Sequence, residues 1–149
     1  MIKKIIFLVI SLLFTFSIKS QTQNPVTWQT TYKSISTTEG EIVITATIEK
    51  GWHTYSQKES TAGPIPTLFK FTPNKDFELI GKTSESNAHE EYDKAFDAKI
   101  FIIAGNAEFK QKIKLKKKGV VIAIKVDYMC CNDAMCLPPK TVDLSVKAQ

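Results

Sequence analysis

Val120-Val121-Ile122-Ala123-Ile124-Lys125-Val126-Asp127-Tyr128 carries the strongest strand signal in the chain and is decisive for its fold class. It is rich in β-branched residues, and its alternating positions fall on opposite faces, which is the pattern of a strand with one side in a core. Weaker copies of the pattern lie on both sides of it. Ile42 to Ile48 alternates and runs into a Glu49-Lys50-Gly51 turn. Thr67 to Phe71 follows a Gly63-Pro64-Ile65-Pro66 breaker and is closed by Pro73-Asn74. Phe77 to Ile80, Ile100 to Ala104, Phe109 to Leu115 and Thr141 to Val146 read as further strands. Short strands bounded by turns, without helical patterns between them, predict an all-β chain folded as an antiparallel β-sandwich. The polar, acidic stretch Ser84 to Asp97 is the exception. It is expected to be a loop or one helical turn.

The chain opens on a different kind of segment. Lys3 and Lys4 precede an apolar run from Ile5 to Phe16, and small residues follow at Ser17 and Ser20. This is the layout of a secretory signal peptide over residues 1–20, too short for a stable membrane span. The mature chain, residues 21–149, has no other long apolar stretch. It is expected to be one exported, soluble domain without stable membrane insertion. Loss of Lys3, Lys4 and Lys19 lowers the formal charge from +5 to +2, so the basic balance belongs partly to the export signal. Lys112, Lys114, Lys116, Lys117 and Lys118 alternate with Ile113 and Leu115 over part of their run, which is strand spacing with lysines outward. Such lysines commonly guard a sheet edge. Nucleic-acid binding would need a broader basic surface with stacking aromatics and is set aside.

All three cysteines fall in seven positions directly after the deciding strand, in Tyr128-Met129-Cys130-Cys131-Asn132-Asp133-Ala134-Met135-Cys136-Leu137-Pro138-Pro139. Asn132-Asp133 favours a turn, and Pro138-Pro139 interrupts pairing before the last strand. A turn there brings the flanking α-carbons into the roughly 4.4–6.8 Å range of a disulfide. Cys130 and Cys131 point to opposite faces if extended, so only one of them can readily meet Cys136. A bridge closing six residues would contribute only about 2 kcal/mol through loop entropy. Three readings follow. The thiols form a reversible dithiol/disulfide pair that exchanges electrons with proteins, and such a pair needs no cofactor. They form a structural hairpin bridge in a non-catalytic binding module. Or all three, with His53 or His89, hold a metal.

The segment Tyr128-x-x-Cys131-x4-Cys136-Leu137-Pro138-Pro139 resembles the active-site segment of the periplasmic N-terminal domain of the DsbD family of thiol:disulfide interchange proteins. Two more stretches agree. Gly51-Trp52-His53-Thr54-Tyr55 is similar to that domain's Gly-aromatic-x-x-Tyr strand, and His89 to Asp97 is similar to the loop that caps its cysteines. The resemblance runs in order over about residues 26–147. It implies an immunoglobulin-like β-sandwich that carries electrons in the periplasm. It implies a thioredoxin-like or membrane-embedded electron donor and periplasmic thiol proteins as acceptors. By motif position it makes Cys131 and Cys136 the redox pair, with Cys136 exchanging and Cys131 resolving.

The resemblance also puts Tyr55 and His53 beside the pair and makes Tyr92 or Phe96 an aromatic lid over it. Two departures stand out. The cysteines are separated by four residues, one fewer than in the best-known members, and Cys130 is an additional thiol that would restore the longer spacing. The step of three from Tyr128 favours Cys131. Neither a membrane domain nor a thioredoxin-like domain is present in these 149 residues, so the donor is expected to be a separate protein. Asp133, beside the thiols, would raise a thiol pKa by its negative charge, or serves only the turn. Trp28 and Trp52 are expected as core anchors, and Lys94 and Lys140 as solvated surface.

Overall fold

The computed structural model describes residues 23–58 and 63–149, so the signal segment lies outside the described residues. Eleven strands follow in order: β1 Val26–Ser34, β2 Glu39–Ile48, β3 Trp52–Tyr55, β4 Leu68–Phe71, β5 Phe77–Glu85, β6 His89–Asp93, β7 Ala98–Ala104, β8 Asn106–Leu115, β9 Val120–Tyr128, β10 Cys130–Asn132 and β11 Lys140–Ala148. Every pairing is antiparallel. They form sheets of order β1-β2-β8-β5, β10-β3-β7-β6 and β11-β9-β4. The chain is an all-β, immunoglobulin-like sandwich, and no helix occurs among the described residues.

The deciding stretch forms β9. Val120, Ile122, Ile124, Val126 and Tyr128 are buried, while the residues between them are exposed or half-buried. They join Trp28, Ile42, Ile44, Phe109, Ile113 and Val146 in one large core between the sheets. Trp28 lies 5.3 Å from Tyr128, 5.8 Å from Phe109 and 6.0 Å from Phe69, ring centre to ring centre. Each fully buried aliphatic or aromatic residue contributes roughly 1.5–3 kcal/mol relative to exposure, so this cluster carries most of the fold's stability. Thr30 Oγ1 donates to Ser145 O at 2.9 Å and ties β1 to β11 across the sheets.

Two local expectations are corrected, and one strand went unread. Ser84 to Asp97 is neither a loop nor a helical turn: β5 continues to Glu85 and β6 occupies His89–Asp93. Polar side chains hid these strands because both run largely over exposed positions. The bulge in β5 between Ile80 and Ser84 broke the alternation further. The lysines of β8 do not guard an edge, since β8 is paired on both sides, with β2 and with β5. They face outward within the sheet, and Lys114 stands opposite Glu39 on one neighbour and Glu78 on the other. Finally, β1 carries Trp28 into the core through a Gln- and Thr-rich strand that the apolar pattern did not reveal.

Two positions place the site. After Tyr128 the chain leaves the third sheet, passes Met129 and enters β10 at the edge of the second. After β6, residues 94–97 turn back into β7, with Asp97 at φ 51°. Aspartate tolerates that left-handed conformation better than most side chains.

Candidate redox site

The second sheet has two faces, and register alone sorts the residues between them. Cys130 pairs with Thr54, and Thr54 with Ile103; Cys131 pairs with His53, and His53 with Ala104. Paired residues share a face and neighbours along a strand alternate. Cys130 and Ile103 therefore enter the large core. Cys131, His53, Tyr55 and Ile102 fall on the other face, with Asp93 and Glu91 of β6 in the same alternation.

On that outer face Cys131 and Cys136 form a disulfide, with their α-carbons 4.0 Å apart. The turn between them is fixed by Asn132, whose Oδ1 accepts from Ala134 N–H at 2.9 Å and Met135 N–H at 2.8 Å. Asn132 N–H donates to Met135 O at 2.9 Å, and Leu137 N–H to Cys130 O at 2.9 Å. Cys131 is 1% exposed, whereas Cys136 is half-buried and follows the exposed Met135. Of the two cysteines, Cys136 is therefore the more exposed residue.

Cys130 is the free thiol. It is 3% exposed, and burial, with a smaller contribution from Glu49, pushes its pKa up to about 12. A thiol in that state is not a nucleophile near neutral pH. Two of the three thiols are joined to each other, and among the described residues no three His, Cys, Asp or Glu side chains group as metal ligands.

Around the disulfide lies a small second cluster of Tyr55, Ile100, Ile102 and Cys131, with Phe96, Ala98, Met129 and Cys136 packed on it. Phe96 meets the Tyr55 ring edge-on at 6.0 Å. Tyr92 does not join it. It stands opposite Lys99 in the other alternation, is 55% exposed, and its hydroxyl donates to Asp97. Tyr128 sits in the large core rather than at the disulfide. Asp133 projects into solvent, and its carboxylate lies 4.0 Å from Lys94 Nζ across the gap between the β6–β7 turn and the cysteine hairpin. Trp52 is a core anchor, as is Trp28.

The residue that the sequence reading missed is Asp93. Its side chain is 3% exposed and accepts from four donors. Oδ2 takes the Tyr55 hydroxyl at 2.7 Å and lies 3.3 Å from His53 Nε2, which is also 3.2 Å from Tyr55 Oη. Oδ1 takes Ala95 N–H at 2.8 Å and Phe96 N–H at 3.4 Å. Burial opposes ionisation of Asp93, but the bonds from Tyr55, Ala95 and His53 outweigh it and hold the carboxyl below the usual range. Tyr55 is pushed the other way, upward, by burial first and by Asp93 second. An acid directly followed by a turn was the available signal, since aspartate bonds to backbone N–H groups two and three residues on. A polar cavity of about 200 Å³ opens beside this network, lined by His53, Asp93, Lys94, Asn132 and Asp133 among others.

Several solved structures share this architecture. The N-terminal domain of DsbD from Neisseria meningitidis, in its reduced form, matches with a TM-score of 0.50 at 18% identity, over 72% of this chain and 76% of that one. The N-terminal periplasmic domain of ScsB from Proteus mirabilis matches with a TM-score of 0.51 at 13% identity, over 83% of this chain and 44% of that one. A complex between the DsbD N-terminal and PilB N-terminal domains of Neisseria meningitidis gives 0.47 at 16% identity, over 79% and 80%. No curated protein matches the chain. The sequence pattern of the thiol:disulfide interchange protein DsbD, N-terminal, matches residues 20–148, and the chain belongs to that family.

Proposed function

We propose that this chain is a periplasmic thiol–disulfide interchange module that passes two electrons between partner proteins through Cys131 and Cys136. The observation that carries the reading is the asymmetry of the bridge. A disulfide across the tip of a six-residue hairpin contributes little to stability, and one of its cysteines is enclosed while the other is half-buried next to exposed Met135. Exchange needs one accessible sulfur and a resolving partner beside it.

In the reduced protein the Cys136 thiolate attacks a disulfide sulfur of the acceptor, forming a mixed disulfide and releasing one acceptor thiolate. The Cys131 thiolate then attacks the Cys136 sulfur. The intramolecular bridge forms, the second acceptor thiolate leaves, and both acceptor thiolates take up the protons. The acceptor gains two electrons and this chain loses two. A thioredoxin-like or membrane-embedded donor reverses the sequence to reload the pair. Phe96 serves as the lid over the pair in the free protein, and Tyr55 and His53 form the floor beneath that lid.

Trapping tests the assignment. Cys131→Ser leaves Cys136 able to attack but unable to be resolved, so mixed disulfides with exported thiol proteins accumulate and are identified by mass. Equal trapping by Cys136→Ser would contradict the roles given to the two sulfurs.

A further inference from the structure

We propose that Asp93 is the positioning residue of the lid, one carboxylate whose two oxygens join the turn carrying Phe96 to the floor of the redox site. The division of labour is visible atom by atom. Oδ1 accepts the Ala95 and Phe96 N–H groups and so folds the turn. Oδ2 accepts the Tyr55 hydroxyl, and His53 Nε2 lies within bonding distance of both Oδ2 and Tyr55 Oη. Tyr55 spends its single O–H proton on Asp93, so His53 must bear hydrogen on Nε2 to bond either oxygen.

The Tyr55 ring also meets Phe96 edge-on. Floor, carboxylate, turn and lid thus form a closed circuit, and the lid cannot swing away as a unit without stretching the Oδ2 bonds. A buried carboxylate released from those donors loses charge-assisted hydrogen bonds, which are the stronger class. Apart from the packing of Phe96 on the small cluster, the one ion pair among the described residues from this turn to the cysteine hairpin is the exposed Lys94–Asp133 contact at 4.0 Å. Exposed pairs of that kind contribute little. Asp93 therefore sets how often the disulfide is uncovered.

The inference rests on the interchange reading only for its purpose, because a small water-soluble phosphine reports uncovering without any protein partner. The oxidised full chain is reduced with the phosphine at fixed pH, and the rate is compared across variants. Asp93→Ala is expected to raise the rate at least about tenfold, the equivalent of losing one charge-assisted hydrogen bond. Phe96→Ala is expected to do the same, and the double variant to be no faster than the faster single, since both act through one lid. Asp93→Asn keeps one carbonyl oxygen for the turn and is expected to fall between wild type and Asp93→Ala.

Ile122→Val, a core change far from the lid, separates positioning from general loss of stability: its rate is expected to equal that of wild type. A wild-type rate in Asp93→Ala, or effects of Asp93→Ala and Phe96→Ala that multiply, would overturn the proposal. If Asp93→Ala fails to fold, hydrogen exchange of the wild-type Ala95 amide decides instead. Protection that falls in Asp93→Asn supports the circuit, and an unprotected amide in wild type overturns it. Failure of partner trapping with normal phosphine kinetics would sink the interchange reading alone.

Discussion

Cys130 and Cys131 are adjacent in sequence and opposite in circumstance. One residue of strand alternation sends Cys130 into the large core with Ile103 and Tyr128, and Cys131 into the small cluster on which Phe96 packs. The same sheet thus has a face that holds the fold and a face that carries the disulfide. A slip of one residue in β10 would exchange the two thiols. The pairing of Cys131 with His53, and of Leu137 N–H with Cys130 O, fixes the register that prevents it.

The difference can be broken most sharply from the core side. Phe109 is fully buried against Trp28 and Phe69, and Phe109→Ala is expected to cost about 3–5 kcal/mol in urea unfolding. Its native-state phosphine reduction should stay at the wild-type rate. Opening the bridge on the other face should cost less, about 2 kcal/mol for a six-residue loop, measured as the stability difference between oxidised and reduced protein. A larger loss on reduction than in Phe109→Ala would mean that the bridge is a staple.

A third effect isolates Cys130. Its pKa is raised in the folded chain from 9.0 to about 12. A raised pKa means stability that is fully present below 9.0 and is lost as pH rises through the folded value. By pH 10, one unit above 9.0, the loss is about 1.4 kcal/mol, since each pH unit between the two values counts for about that much. Burial raises Tyr55 and Tyr128 in the same direction, so the contribution of Cys130 is the difference between wild type and Cys130→Ala. Equal alkaline slopes in the two proteins would place Cys130 nearer solvent than described.

The smallest effect belongs to Asp93, whose carboxyl is depressed below 3.8. A depressed carboxyl contributes stability above its unfolded pKa and loses it as pH falls through the folded one. The acid limb of a stability–pH curve should therefore flatten in Asp93→Asn below about pH 4.

The core face was legible in the sequence and the site face was legible only in part. β9 and β2 announce themselves because every second residue is apolar, β8 does so except at buried Gln111, and the same alternation explains why only one of two neighbouring cysteines meets Cys136. The choice of Cys131 came from the three-residue step after Tyr128, and the disulfide follows it. The outer elements were hidden for a physical reason. In β6, His89, Glu90, Glu91 and Tyr92 are exposed, and Asp93 alone is buried, so no apolar period marks the strand. Asp93 is found only when β6 is laid beside β7 and β3, because its partners Tyr55 and His53 lie about forty positions away. Phe96 and Tyr92 looked equivalent in sequence; alternation along β6 and the turn after it separate them. Asp133, read either as an electrostatic neighbour of the thiols or as a turn residue only, projects into solvent 4.0 Å from Lys94.

Whether the Cys131–Cys136 bridge exchanges electrons or only fastens a hairpin is read from its reduction potential. Purified oxidised protein is equilibrated against a graded series of thiol redox buffers and against a reduced thioredoxin-like donor, with the fold monitored throughout. The expected result is a bridge less reducing than about −300 mV that the donor opens while the sandwich stays intact. A potential below that value, with a bridge that resists the donor in the folded protein, would contradict it and leave a structural disulfide in a binding module.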